Sequence, residues 1–201
     1  TVGGGTGASS WTNRSNLYIG NAGQGSLAAS SGGSITSAVG IIGNLTGSTG
    51  SVTVDGDSTW TNSAHIVVGQ QGTATLDITG GGTMKNTASY IAYDSGSTGT
   101  VNVGDGTGLS SWINDSSINV GYHGAANLNI NSGGLVQTTG LEGGNLLSSV
   151  NLNGGTLRIT QTGTATNQIN LKTQGGIVDV SSAESGFTVA PSISRAGGLC
   201  K

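Results

Sequence analysis

The sequence predicts an all-β protein: a three-sided parallel β-helix in which successive turns of chain lie on one another. Three observations lead there: a long repeat, a finer repeat within it, and short runs of alternating polarity. Trp11, Trp60 and Trp112 each begin the same pattern, with Asn13, Asn62 and Asn114 two residues on and Gly20, Gly69 and Gly121 nine on. Leu27, Leu76 and Leu128 follow at sixteen, then the pairs Gly32-Gly33, Gly81-Gly82 and Gly133-Gly134. A period of about fifty residues, kept in phase over most of the chain, belongs to a stacked repeat.

The finer repeat halves that unit. Ile19-Gly20 is echoed by Ile42-Gly43, Leu27 by Val52 and Ile35 by Trp60; one unit later Val68 is echoed by Ile91, Leu76 by Val101 and Met84 by Trp112. The last echo spans a three-residue insertion around Gly108. A coil of about 25 residues is the size of one turn of a three-sided β-helix, and about eight such coils at roughly 4.8 Å each give a rod about 40 Å long.

The strands follow in chain order from the third observation. Leu17-Tyr18-Ile19, Leu76-Asp77-Ile78, Val101-Asn102-Val103 and Leu128-Asn129-Ile130 alternate apolar with polar or amphipathic residues, the period of a strand with one buried and one wet face. Gly, Ser, Asn and Asp clusters separate them, as turns should. The segment 140–149 carries no such pattern and is left unassigned. The residues up to 148 form the two-coil repeats, and 149–201 continue as further coils.

Composition agrees with one elongated domain. Glycine makes up 39 of 201 residues against one proline, charged residues make up 7%, and the net charge is −3. A hydrophobic content of 33% suffices where each coil contributes only a few inward side chains. Cys200 has no partner in the chain, so cysteine usage identifies no redox compartment. Val2 precedes Trp11 by the same nine residues that separate Val103 from Trp112, and we therefore expect the chain to be a fragment cut within a unit.

The stretch 55–84, DGDSTWTNSAHIVVGQQGTATLDITGGGTM, and its counterpart from Asp105 to Val136 resemble a repeat of bacterial type V secretion autotransporter passengers. That repeat reads G-x-S-x-W-x-N, then L-x-V-G, G-x-L-x-I and G-G-x-V. The segments SSVNLNGGTLRI (148–159) and INLKTQGGIVDVSSAESGFTVAPSISRAGGLCK (169–201) resemble the autotransporter-associated β-strand region. The resemblance implies a right-handed β-helix displayed at the bacterial surface, joined to the outer membrane through a barrel absent from this sequence.

Candidate chemistry is sparse. The indoles could stack on sugars, but Trp60 and Trp112 share phases with Ile35, Met84 and Val136, which points to packing. The in-phase Asn13, Asn62 and Asn114 suggest a structural amide ladder. The carboxylates Asp55, Asp57, Asp77, Asp94, Asp105, Asp115, Glu142, Asp179 and Glu184 mostly neighbour turn glycines, as in Asx turns rather than calcium rolls. Arg14, Lys85, Arg158, Lys172, Arg195 and Lys201 occupy unrelated phases, and His65 and His123 share no row. Polysaccharide lyase or hydrolase chemistry needs converging carboxylates and cations, so no enzyme, metal site or cofactor is expected. An acidic balance with dispersed cations offers nucleic acid no phosphate track. The alternating Thr160, Thr162, Thr164 and Thr166 make one run, not a face.

The expected function is adhesion to host cells, matrix protein or glycan, or to neighbouring cells, through many weak contacts along a polar face. Tyr18, Asp77, Asn102, Asn119 and Asn129 are the candidate recognition residues. A non-binding stalk that carries a functional head elsewhere is the alternative, and a carbohydrate-active enzyme ranks third.

Overall fold

The computed structural model describes residues 1–5, 9–145, 147–161, 163–180, 187–189 and 193–195, with backbone alone at 163, 164, 187, 189 and 193–195. Its described elements are all β-strands. Three parallel sheets of nine, eight and six strands run along the stack, and each takes every third strand of the chain in its main body. A further parallel pair, Gly163–Ala165 with Phe187–Val189, lies beyond the six-stranded sheet. The result is the three-sided parallel β-helix.

Sheet I is the longest, and its inward column is the one marked by the repeated leucines. Leu27 pairs with Val52, Val52 with Leu76, Leu76 with Val101, Val101 with Leu128 and Leu128 with Val150. All six are buried in one hydrophobic core, beside a second inward column through Ala29, Val54, Ile78, Val103 and Ile130. Alternation decides this arrangement: inward residues share a face only in this register, and a one-residue slip would turn the whole row to solvent. The strands after 148 continue the same sheets, Ser149–Asn153 pairing with Ala125–Asn131.

In sheet II the inward column reads Trp11, Ile35, Trp60, Met84, Trp112, Val136 and Leu157. In sheet III the facing column reads Leu17, Gly40, Ile66, Ser89, Ile118 and Leu141. From Trp11 to Val136 and from Leu17 to Ile118 both alternate from winding to winding, indole with a slimmer apolar chain and branched with small. The two alternations interlock. A Cβ on Gly40 would lie 2.7 Å from Cζ2 of Trp60 in the next winding, so the indole fills the space left by the missing side chain. Close packing leaves no other room for so large a group. The fifty-residue repeat is thus a pair of coils, one bearing the large ring and one the small residue that receives it.

A third alternation sits at the corner between sheets III and I, where Ser48, Ser97 and Ser148 are buried. A Cβ on Gly72 would meet Ser48 Oγ at 2.5 Å, and one on Gly124 would meet Ser97 Oγ at 2.4 Å. Ser48 and Ser97 therefore each pack against a glycine of the next winding, and Ser148 packs against Gly121 of the preceding one.

Trp60 and Trp112 are fully buried, as their shared phase with Ile35 and Met84 predicts, but Trp11 is 41% exposed. Its strand, Ser10–Thr12, is the end strand of sheet II and has a neighbour on one side only. Among the described residues no second winding closes over that indole. The insertion near Gly108 is absorbed outside the core, where Leu109 stands 85% exposed. The unassigned segment contains a short strand, Gly140–Glu142, and the buried Ser148.

Candidate functional site

The indole–amide corner between sheets II and III is built first by packing. Trp112 Nε1 donates to Asn86 Oδ1 at 2.7 Å, and Asn86 Nδ2 donates to Ser89 Oγ at 2.7 Å and to Asn114 Oδ1 at 2.5 Å. Ser89 Oγ also donates to Asn114 Oδ1 at 2.6 Å, while Asn114 Nδ2 donates to the Ser117 carbonyl at 3.0 Å and to that of Ser116. One unit earlier Trp60 Nε1 donates to Ser37 Oγ at 3.0 Å, and Ser37 Oγ donates to Asn62 Oδ1 at 2.5 Å. Asn62 and Asn114 are buried; the Asn114 amide replaces the water that the corner backbone would otherwise need, while Asn62 Nδ2 has no partner among the described residues. This network holds the corner and touches no solvent-facing groove.

The predicted recognition residues fall on two faces. Asp77, Asn102 and Asn129 occupy one outward row of sheet I. Asn102 Nδ2 donates to Asp77 Oδ1 at 2.7 Å, and Asn129 Nδ2 donates to Asn102 Oδ1 at 2.7 Å. The ladder continues through Asn151 at 2.8 Å to Asn170 at 3.1 Å, two members that sequence reasoning did not single out. Every amide keeps one N–H in the ladder, and the Asp77 carboxylate, acceptor only, ends this chain of donors. Tyr18 and Asn119 lie in one outward row of sheet III, separated by Ile41, Val67 and Tyr90. The five residues therefore do not meet in a single patch.

A different group does meet. Tyr90, Tyr93 and Tyr122 converge on sheet III and its corner with sheet I, and His65 and His123 flank them. The Tyr93 and Tyr122 rings stack with centroids 5.0 Å apart and planes 23° apart. Tyr90 stands edge-on to both, at 5.3 Å and 5.6 Å. His123 tilts against Tyr122 at 4.4 Å, and His65 meets Tyr90 edge-on at 6.1 Å. Three of the four tyrosines and both histidines of the chain thus share one surface cluster. Their different repeat phases hid it, because a corner residue and a strand residue of successive windings approach only when the coil is closed.

No protein-family model, curated protein or solved structure matches this chain. The fold and the geometry alone carry the functional reading.

Beside the cluster the surface dips into a shallow cleft lined by Gly143, Gly144, Asn145, Ser148, Thr166, Asn167 and Gln168, and Tyr122 and His123 border the adjoining depression. Asn145 Nδ2 donates to the His123 carbonyl at 2.9 Å, which ties the cleft to the aromatic group. Asn167 is only 4% exposed; its Nδ2 donates to the Val120 carbonyl at 2.8 Å, and its Oδ1 has no partner among the described residues.

The carboxylates are dispersed. Asp105 shows the turn role expected of it: Thr107 N–H donates to Oδ1 at 2.9 Å and Thr107 Oγ1 to Oδ2 at 2.7 Å. The hydroxyl bond, then the amide bond, holds its carboxyl below the ordinary 3.8. Arg158 Nε pairs with Asp179 Oδ2 at 2.8 Å on sheet II. Among the described residues no three His, Cys, Asp or Glu side chains could hold a metal ion. No helix among them is long and apolar enough to cross a membrane. Glu184, Cys200, Lys201, Thr162 and the side chains of Thr164 and Arg195 lie outside the described residues.

Proposed function

We propose that this chain is part of an autotransporter passenger that acts as an adhesin, carried at the bacterial surface by a separate outer-membrane barrel. The observation that supports it most is the outward row Asp77, Asn102, Asn129, Asn151 and Asn170, one polar side chain per winding in unbroken register. A rigid row at strand spacing presents equivalent weak contacts whose sum gives avidity without a deep pocket. Host-cell or matrix protein, host glycan, and a copy of the chain on a neighbouring cell are the partner classes.

The ladder also favours a second reading, a stalk. Its amides are spent largely on one another, which strengthens the stack whether or not anything binds. Beads coated with the folded chain decide between them. Attachment to cells or matrix-coated surfaces, reduced when Asn102 and Asn129 are both changed to serine, is the adhesin result. No attachment by a chain with intact thermal unfolding leaves the stalk.

A further inference from the structure

The geometry points to the aromatic cluster and its neighbouring cleft as a binding site for a neutral oligosaccharide, with the stacked Tyr93–Tyr122 pair as its aromatic wall. This rests on the adhesin reading and gives it a ligand class. The tyrosines have no packing duty toward the interior, which is filled by the aliphatic columns and the two buried indoles. Tyr90 belongs to the outward row of sheet III, and Tyr122 is 39% exposed. Side chains that cluster on the wet side of a chain with only 4% aromatic residues form a large amphipathic surface at low conformational cost.

The chemistry of the surroundings selects the ligand. The cleft lining beside the rings is amide, hydroxyl and glycine, and neither it nor the adjoining depression is lined by an Asp, Glu, Lys or Arg. Phosphate, nucleic acid and acidic chains would find no cation there. A protein partner would ask for a broader apolar centre. A sugar offers what the site takes: C–H groups to pack against the outer side of the Tyr93–Tyr122 stack, and hydroxyls that both donate and accept toward Asn145 and Thr166. Asn167, which lines the cleft, is 4% exposed and its Oδ1 has no partner among the described residues; this is the second observation for a ligand site, because a native structure rarely leaves such an atom unpaired.

The test is titration of the whole chain with neutral hexasaccharides of glucose, galactose and mannose, followed by ¹³C-labelled tyrosine ring signals and by calorimetry. Saturable shifts of the Tyr93 and Tyr122 rings are expected, with affinity falling at least about tenfold in Tyr122→Ala and Tyr93→Ala and unchanged in Lys85→Ala. The ring signals of the unmutated chain keep the result readable if a variant unfolds. No saturable shift with any sugar up to about 10 mM, or binding indifferent to both tyrosine changes, overturns the site. Coated beads that still attach to cells in that case leave adhesion standing on another surface. Attachment lost in Tyr122→Ala but resistant to periodate treatment of the target, without sugar binding, assigns the cluster to a protein partner and overturns the proposal. Sugar binding without bead attachment keeps the site and removes adhesion.

Discussion

The Trp60 indole occupies the volume that a side chain at Gly40 would need, with Cζ2 only 2.7 Å and Cη2 2.9 Å from the position of an added Cβ. Gly40 has no positive φ, so space alone excludes a larger residue there. Gly40→Ala should destabilise the chain by about 1–3 kcal/mol through overpacking. Trp60→Met, which copies the residue found at the same place in the next winding, should lower that penalty in the double variant. Urea unfolding of the four-member cycle measures it; additive effects would mean the ring and the glycine are energetically independent.

Trp112 is held by more than its area. Trp112→Phe keeps an aromatic ring but strands the buried Asn86 Oδ1, which accepts from Nε1, and should cost about 1–3 kcal/mol for the unpaired acceptor. Trp112→Ala adds a cavity and should cost about 3–5 kcal/mol. Equal unfolding midpoints for Trp112→Phe and the parent chain would contradict the role given to that bond.

The outward ladder predicts a pH effect. Asn102→Asp places a second carboxylate where Nδ2 now donates to Asp77 at 2.7 Å. Two like charges so close raise one folded-state pKa above its unfolded value of about 3.9. A raised pKa means stability is retained below that unfolded value and lost as pH rises through the folded one. Melting temperatures of the variant should approach those of the parent near pH 3 and fall below them by pH 7; a gap independent of pH would sink the charge-pair account.

Thr107→Ala removes the hydroxyl bond that most depresses the Asp105 carboxyl. A depressed pKa favours the folded state above the unfolded value and loses that contribution as pH falls through the folded one. The variant's Asp105 carboxyl carbon should therefore titrate closer to 3.8 in NMR, and an unchanged midpoint would show the turn to be held by backbone alone.

Much of the fold was legible because a solenoid writes its vertical neighbours at a constant distance along the chain. The echoes Ile35 to Trp60, Leu76 to Val101 and Met84 to Trp112 are the pairs found in register. Trp11 shares the repeat phase of Trp60 and Trp112 yet is exposed, because phase says nothing about how many strands flank a residue in the sheet. The short strand at Gly140–Glu142 carries only one buried apolar residue, Leu141, too few for alternation to show. The tyrosine–histidine cluster stayed hidden for a different reason. Its members come from strand and corner positions of successive windings, and that proximity depends on the coil's cross-section, which periodicity does not encode.

The ring-and-glycine alternation also constrains how such a chain can change length. A lone extra winding would set two bulky tiers, or two slender ones, face to face and either jam the column or leave it hollow. Duplication or excision of a couplet preserves the fit within the alternating stretch from Trp11 to Val136.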